Sequence, residues 1–494
     1  VTVVIDTSLA EEATRTRRET RARRKRLLRR GRGCALWTVS VAVILGVGTW
    51  FVVTAWAWAD RRTGEEALAE ARAAGVPLTM RDLAARQPVS PEIAEATEFW
   101  RLAMAEVDVE RFRDRSFARV PVLGELRSDG GADPPDRDAQ GHLQGEDLVA
   151  AEQFLAPLEQ TFAAARSARD AGGVANFGAP LADQTVDAAV DPYRLLFLGM
   201  ALRLKVETRL GDDDADGAID DLTTLVAVSD ALRYEPHDWH QDCRHLALGW
   251  AVDLLERMLA VKRLNDDQLR RLAEAFRERD EARSFRLAVA GARFYFVTCV
   301  QVADEEFAQQ FFRVDYSSWT RGADLAEGLD LFAQMDEASE NGLLAANERR
   351  SSIEAELSAL DARFSAGTRY PATLMLVPQL GQQLDSHLKA EASFTLARTA
   401  IACERYRLVH GKLPAKLDDL TPEFLAEPPL DPCNGKPLRY VDDARGVQLY
   451  SVGADGVDGG GAAAARSGAA LFAPPDIAFR LKKTKPKAEA GAAP

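Results

Sequence analysis

The sequence predicts a mostly α-helical protein with three parts: an N-terminal transmembrane helix, an extracytoplasmic helical bundle or irregular α-solenoid, and a small C-terminal α+β module. Three observations predict it. Residues 34–59 contain no charged side chain. Apolar residues recur at helical spacing through most of 145–400. Beyond His410 the pattern changes to short alternating runs set among Gly, Pro and Asp. The length of 494 residues suggests two or three domains. A hydrophobic content of 47% excludes global disorder, and 7% aromatics argue against an aromatic-rich all-β fold. A net charge of −14 excludes nucleic acid as a partner of the chain as a whole.

That average hides a partition. Between Arg15 and Arg32 lie ten Arg and Lys25, against Asp6, Glu11, Glu12 and Glu19 in the same 1–33 segment. The uncharged run Cys34 to Ala59 follows, and the rest of the chain is strongly acidic. Twenty-six uncharged residues form a helix of roughly 39 Å, enough to cross a hydrocarbon core of ~30 Å. Trp37 near one end and Trp56 and Trp58 at the other suit the two interfaces. The Arg-rich segment is expected to stay cytoplasmic beside anionic lipid headgroups, which places residues 60–494 outside the cytoplasm. Ala57-Trp58-Ala59 also resembles a signal-peptidase site, but the apolar run exceeds the 7–15 residues usual there.

Residues 60–393 are read as one helical extracytoplasmic domain. Pro77, Pro88 and Pro91 break its first part, and the Gly-, Pro- and charge-rich stretch 124–142 is read as a mobile loop. Leu195, Leu198, Leu202 and Val206 form one apolar stripe. Ile219, Leu222 and Val226 form a second after a polar turn, and Trp250, Leu254, Met258 and Val261 a third. Asn265 with Gln268 reads as a reciprocal cap before Leu269, Leu272 and Phe276. Residues 394–481 are read as the α+β module: a helix ending at His410-Gly411, strands at 437–441 and 447–452 joined by Asp442–Gly446, and a third strand through Ile477, Phe479 and Leu481. Residues 482–494, rich in Lys, Pro and Ala, are read as a disordered tail.

Residues 404–461 carry a series of motifs in order: Tyr406, Arg407, Gly411 and Pro414, then Asp431, Pro432, Gly435, Pro437 and Tyr440, then Tyr450, Ser451, Gly453, Asp455 and Gly456. This region resembles the C-terminal part of the major pseudopilin of type II secretion systems. The resemblance implies a helix packed on a small antiparallel sheet, with a loop that binds Ca²⁺. Asp455 matches the family's loop aspartate, and Asp458 and Asp476 are the further carboxylates for such an ion; the Gly/Ala-rich insert Gly459–Pro474 departs from the pattern. The intervening helical region and the basic segment before the anchor depart from it too, so filament assembly is not implied. The chain as a whole resembles bacterial single-pass membrane proteins that place this module after a helical region, which implies the inner membrane as its location.

Other constellations have two readings each. Asp212-Asp213-Asp214-Ala215-Asp216-Gly217 with Asp220 fits the start of an EF-hand loop, but Thr223 stands where the closing Glu belongs, so a helix–helix turn is expected. His237, His240, Asp242, Cys243 and His245 fall within nine residues; in a helix, His237, Gln241 and His245 share a face that could ligate Zn²⁺, while neutral interior or surface histidines are the default reading. Four cysteines outside the membrane segment, Cys243, Cys299, Cys403 and Cys433, allow two disulfides, Cys403 with Cys433 among them, or free buried thiols. Serine-hydrolase and phosphate-loop motifs are missing. The expected role is therefore non-enzymatic: an envelope interaction or scaffold protein, its partners the bilayer and envelope proteins. The alternative is a metal-dependent extracytoplasmic hydrolase built on His237–His245.

Overall fold

The computed structural model describes residues 7–113, 120, 136–138, 142–177, 192–212, 214–302, 320–363, 369–461 and 476–483. Of the loop expected at 124–142, only 136–138 and 142 fall among them; the tail from 484 and most of the Gly/Ala-rich insert lie outside. The described fold is mostly helical, with one long apolar N-terminal helix and a three-stranded sheet.

Helix α1 (Thr7–Ala73) does not stop at Ala59. No Gly-Pro break occurs before Gly75-Val76-Pro77, and the Arg62–Glu66 pair at 2.7 Å supports the turn after the apolar run. Within the run, the Thr49 and Thr54 hydroxyls donate to the Leu45 and Trp50 carbonyls at 2.8 Å, so these two polar groups are satisfied within the helix. Among the described residues this is the one helix long and apolar enough to cross a membrane, and none of its apolar window is buried. The helix ends at Gly75, whose φ of +71° favours glycine; the Val76 N–H closes back on Ala71 and Arg86 caps the Gly75 carbonyl.

The end of α1 is fastened to the body. The Asp60 carboxylate accepts from Gly322 and Ala323 N–H at 2.8 and 3.0 Å, capping α12 (Arg321–Glu340) from another helix. Glycine is required at this crossing, because a Cβ on Gly322 would lie 1.7 Å from the Asp60 carbonyl oxygen. Leu68, one face further along, enters the core. Asp60→Ala is expected to cost about 1–2 kcal/mol and to open the Arg61–Arg62 bond to trypsin in detergent; unchanged cleavage would show that the clamp does not hold the helix.

Two apolar cores make up the body. The first gathers α3 (Pro91–Ala105), α5 (Gly145–Leu155), α6 (Glu159–Asp170), α7 (Pro192–Gly211), α8 (Ala215–Ala231), α9 (Asp238–Val261) and α10 (Asp266–Ala275). The second gathers the end of α1 with α11 (Glu281–Val302), α12, α13 (Leu343–Asp361) and α14 (Pro371–Leu376). The short helices α2 (Met80–Ala84) and α4 (Val109–Arg113) complete the order. Helix α15 (Gln379–His410) runs through both: Leu380, Leu384 and Leu388 belong to the second core, and Phe394, Ala397, Ile401 and Cys403 to the first. The expected cap of α10 is present, with Asn265 and Gln268 exchanging bonds at 2.9 and 3.0 Å.

Charged groups are buried where helices meet. Asp230 on α8 receives Arg279 through two bonds at 2.8 and 2.7 Å and also Arg233, while Arg279 lies 4.1 Å over the Phe394 ring. Burial pushes the Asp230 carboxyl up, but the two guanidinium groups outweigh it and hold it at about 2. A folded-state value below the unfolded 3.8 stabilises above pH 4 and is lost as the pH falls towards 2. Asp230→Asn should therefore cost on the order of 2 kcal/mol at pH 7 and almost nothing at pH 2; a pH-independent loss in thermal unfolding would contradict this origin.

The C-terminal sheet has order β1-β2-β3, all antiparallel: β1 (Arg439–Asp443), β2 (Gly446–Ser451) and β3 (Ile477–Leu481). It packs against α15 and α9 through Leu449, Phe479 and Leu481. The first hairpin is tighter than expected. Asp443 pairs with Gly446, and its carboxylate accepts from Arg445 and Gly446 N–H, leaving a two-residue turn. Of the two readings for the cysteines, the structure has free buried thiols: Cys243, Cys299, Cys403 and Cys433 are all free and buried. Cys403 packs in the first core and Cys433 in the second.

Candidate metal centre

The histidine-rich start of α9 does not act as one unit. His237 is the residue before the helix, and its ring stands edge-on to His240 at 5.4 Å. His240 turns to Glu235, 3.5 Å away. Gln241, fully buried, spends its amide on the Leu232 and Glu235 carbonyls at 3.0 and 2.7 Å, which fixes the loop before α9. Asp242, pushed up to about 6 by burial and then by Asp238, takes no part in a cluster. This division corrects the single ligand face expected for His237 and His245.

His245 turns instead into the seam between the cores, where it meets Glu281 and His387. Glu281 is the first residue of α11, between core residues Phe276 and Phe285; His387 lies on α15, between Leu384 and Ala390. One ligand atom from each of the three side chains falls within 4.8 Å of the others, the one such group among the described residues. The His245 and His387 rings stand edge to face with centroids 4.7 Å apart. Glu281 and His387 are 2% and 0% exposed, and His245 is half-buried.

Arg244 sets the electrostatics. Its side chain is completely buried, pairs with Glu281, and places Nη1 3.2 Å from His245 Nε2 and 3.3 Å from Gln241 Oε1. Burial opposes the Glu281 charge, but Arg244 and then the His387 ring hold the carboxyl well below its ordinary range. Burial depresses both histidines; for His245 the neighbouring His387 and Arg244 add to the effect. Burial thus favours the neutral form of both rings, and the Glu281 carboxylate opposes this, most directly at His387. Four atoms of the group have no hydrogen-bond partner: His245 Nδ1, both ring nitrogens of His387 and Glu281 Oε2. Oε2 and His387 Nδ1 face each other across 3.5 Å. Two imidazoles and a carboxylate suit a first-row transition metal or Zn²⁺, whereas Ca²⁺ takes oxygen ligands.

The C-terminal aspartates are placed differently. Asp455 accepts from the Val457 N–H at 3.0 Å. Asp458 accepts from Arg439, the Tyr450 hydroxyl and the Gly460 N–H, each at 3.0 Å, and Arg439 is the main cause of its lowered pKa. Asp476, 2% exposed, accepts from Gly459 and Gly461 N–H at 3.3 and 2.7 Å. These carboxylates order the loop by accepting from N–H and O–H groups, and their oxygens do not converge as a ligand group. The Asp-rich stretch after α7 is a turn: Asp214 caps α8 through the Gly217 N–H at 2.9 Å, Asp216 pairs with Arg271, and Asp220 pairs with Arg169. Asp213 lies outside the described residues.

Surface cavities lie elsewhere. One of about 330 Å³ is lined by Arg169, Arg271, Arg277 and Arg279, each already paired with a carboxylate. Another of about 490 Å³ lies among Arg86, Arg283, Arg286 and Arg293 beside Asp336. No family model, characterised protein or solved structure matches the chain. Glu281 and His387 had no local signal in the sequence. Glu281 sits in a charge run that reads as a solvated face, and His387 is one of several polar residues around the stripe Leu380, Leu384, Leu388.

Proposed function

We infer that the chain is a membrane-anchored extracytoplasmic interaction or scaffold protein, with its basic N-terminus in the cytoplasm of a bacterium. The observation that carries this reading is the passage, within one helix, from an unburied apolar stretch to a clamped one. A flexible linker would let the body wander; a helix locked by Asp60 and Gly322 holds it at one height and orientation above the bilayer. The Arg-rich segment on the other side sets the topology. The module similar to pseudopilins exposes Leu408, Val409 and Val441, which are available to a secretion or pilus-like assembly. The hydrolase reading gains no support from the histidines, because His237 and His245 serve different neighbours.

A reporter fused after Pro494 should be active outside the cytoplasm, and the chain should fractionate with the inner membrane. A photo-crosslinking residue at Val409 should capture a pilin-like or secretion component. Cytoplasmic reporter activity would overturn the topology, and crosslinks to lipid alone would overturn the assembly role. The same reading gives the Asp455, Asp458 and Asp476 loop a calcium ion, which has to displace Arg439 from Asp458. A calcium-dependent rise in melting temperature that Asp455→Ala abolishes is the expected result; no rise, or one surviving the substitution, removes the site.

A further inference from the structure

We propose that His245, Glu281 and His387 bind one divalent transition-metal ion of the Zn²⁺ class, as a structural cross-link joining α9, α11 and α15. This goes beyond the anchoring role and does not depend on it. Buried polar atoms in folded proteins almost always have a partner, yet His245 Nδ1, both ring nitrogens of His387 and Glu281 Oε2 make no hydrogen bond, the nearest approach being Oε2 to His387 Nδ1 at 3.5 Å. The group as it stands lacks a component that joins nitrogen and oxygen lone pairs.

The chemistry of the donors selects the component. Neutral imidazoles present lone pairs, the carboxylate brings one negative charge, and N₂O is a common protein ligand set for Zn²⁺. Ligand atoms within 4.8 Å of one another must close to about 3.3 Å around a tetrahedral ion with bonds of ~2.0–2.1 Å, a side-chain movement on the order of 1 Å. A fourth position is left for a water. Coordination by His245 goes through Nδ1, its unpartnered atom, which moves the ring proton to Nε2; that N–H then meets Arg244 Nη1 donor to donor across 3.2 Å, so binding the ion has to turn Nη1 from the ring to Gln241 Oε1. The other amino group of Arg244 stays on Glu281 and orients the carboxylate from outside the coordination shell. Arg244 and the N-terminus of α11 both oppose added positive charge, so weakly held hard cations are excluded. The burial of Glu281 and His387 makes the role structural: the ion ties helices of both cores at the point where apolar packing is interrupted.

The competing occupant is a water, which fits between donors at this spacing without any movement. The test uses the full chain purified in detergent, without chelators or metal-affinity resin. Elemental analysis is expected to give close to one zinc per chain, and chelation to lower the melting temperature by about 5 °C or more. Exchange with Co²⁺ should produce the intense visible absorption of a low-coordinate site. His387→Ala and Glu281→Gln should each lose the metal and the chelator sensitivity. Should these variants fail to fold, the Co²⁺ spectrum of the unaltered protein decides. Less than a tenth of an equivalent of metal with no such absorption would overturn the proposal and leave a water in the seam, and so would zinc retained by both variants. Neither result touches the topology measurements, which test the anchoring role separately.

Discussion

Arg244→Met, measured in metal-stripped protein, is expected to cost about 3–5 kcal/mol. The guanidinium is fully enclosed and its partner Glu281 almost so, so removing it strands a carboxylate where water cannot reach. The pH dependence should change sign. In the parent protein Glu281 is held well below its ordinary range, so its contribution is present above the unfolded value of about 4.3 and is lost in acid. In the variant, burial without a cation raises the carboxyl above that value. Stability should then fall as the pH rises from about 4 and recover on acidification. Thermal unfolding at pH 5 and pH 8 separates the two behaviours. Arg244→Met with Glu281→Leu should regain most of the loss, because replacing both members of a buried pair removes the uncompensated charge. A single variant as stable as the parent at pH 8 would show that the pair carries no weight in the seam.

Asp431→Ala is expected to be of similar size, about 3–5 kcal/mol, and confined to the C-terminal module. Asp431 is 1% exposed and gathers three donors: the Cys433 N–H at 3.0 Å, the Ser451 hydroxyl at 2.7 Å and the Val452 N–H at 2.9 Å. These bonds tie the proline-rich loop before β1 to the end of β2. Alanine leaves all three donors buried without an acceptor. Asp431→Asn keeps one carbonyl oxygen and should lose about half as much. Hydrogen exchange is the suitable readout: amides of β1 and β2 should lose protection while those of α7 and α8 keep theirs. Equal loss across both regions would show that the module and the body unfold as one unit.

Both predictions concern polar groups that join elements distant in the chain, and this is where sequence reading reached its limit. The cap of α10 was legible because Asn265 and Gln268 lie within one turn, and Gly411 because a left-handed residue at a helix end is a local requirement. Strand positions were legible to within two residues; the shift of β1 came from Asp443, whose side chain closes a turn that alternation alone does not reveal. The histidine cluster was the misleading case. Proximity along the chain suggested that His237 and His245 act together, but α9 starts between them and they serve different neighbours. The cysteines stayed open between two readings, since an even count says nothing about which core each thiol enters.

By itself the sequence determined the uncharged helix, the basic segment before it, the helical character of the body and the helix–sheet order at the C-terminus. Each follows from terms that act within a few residues: charge density, the 3.6-residue and two-residue periods, and the φ preferences of Gly and Pro. Only the tertiary structure decided that α1 is locked to α12 through Asp60, that α15 threads two cores, and that His245, Glu281 and His387 share one seam. Those contacts depend on the angles and register at which helices pack, and apolar stripes constrain these weakly, because many packings bury the same surface.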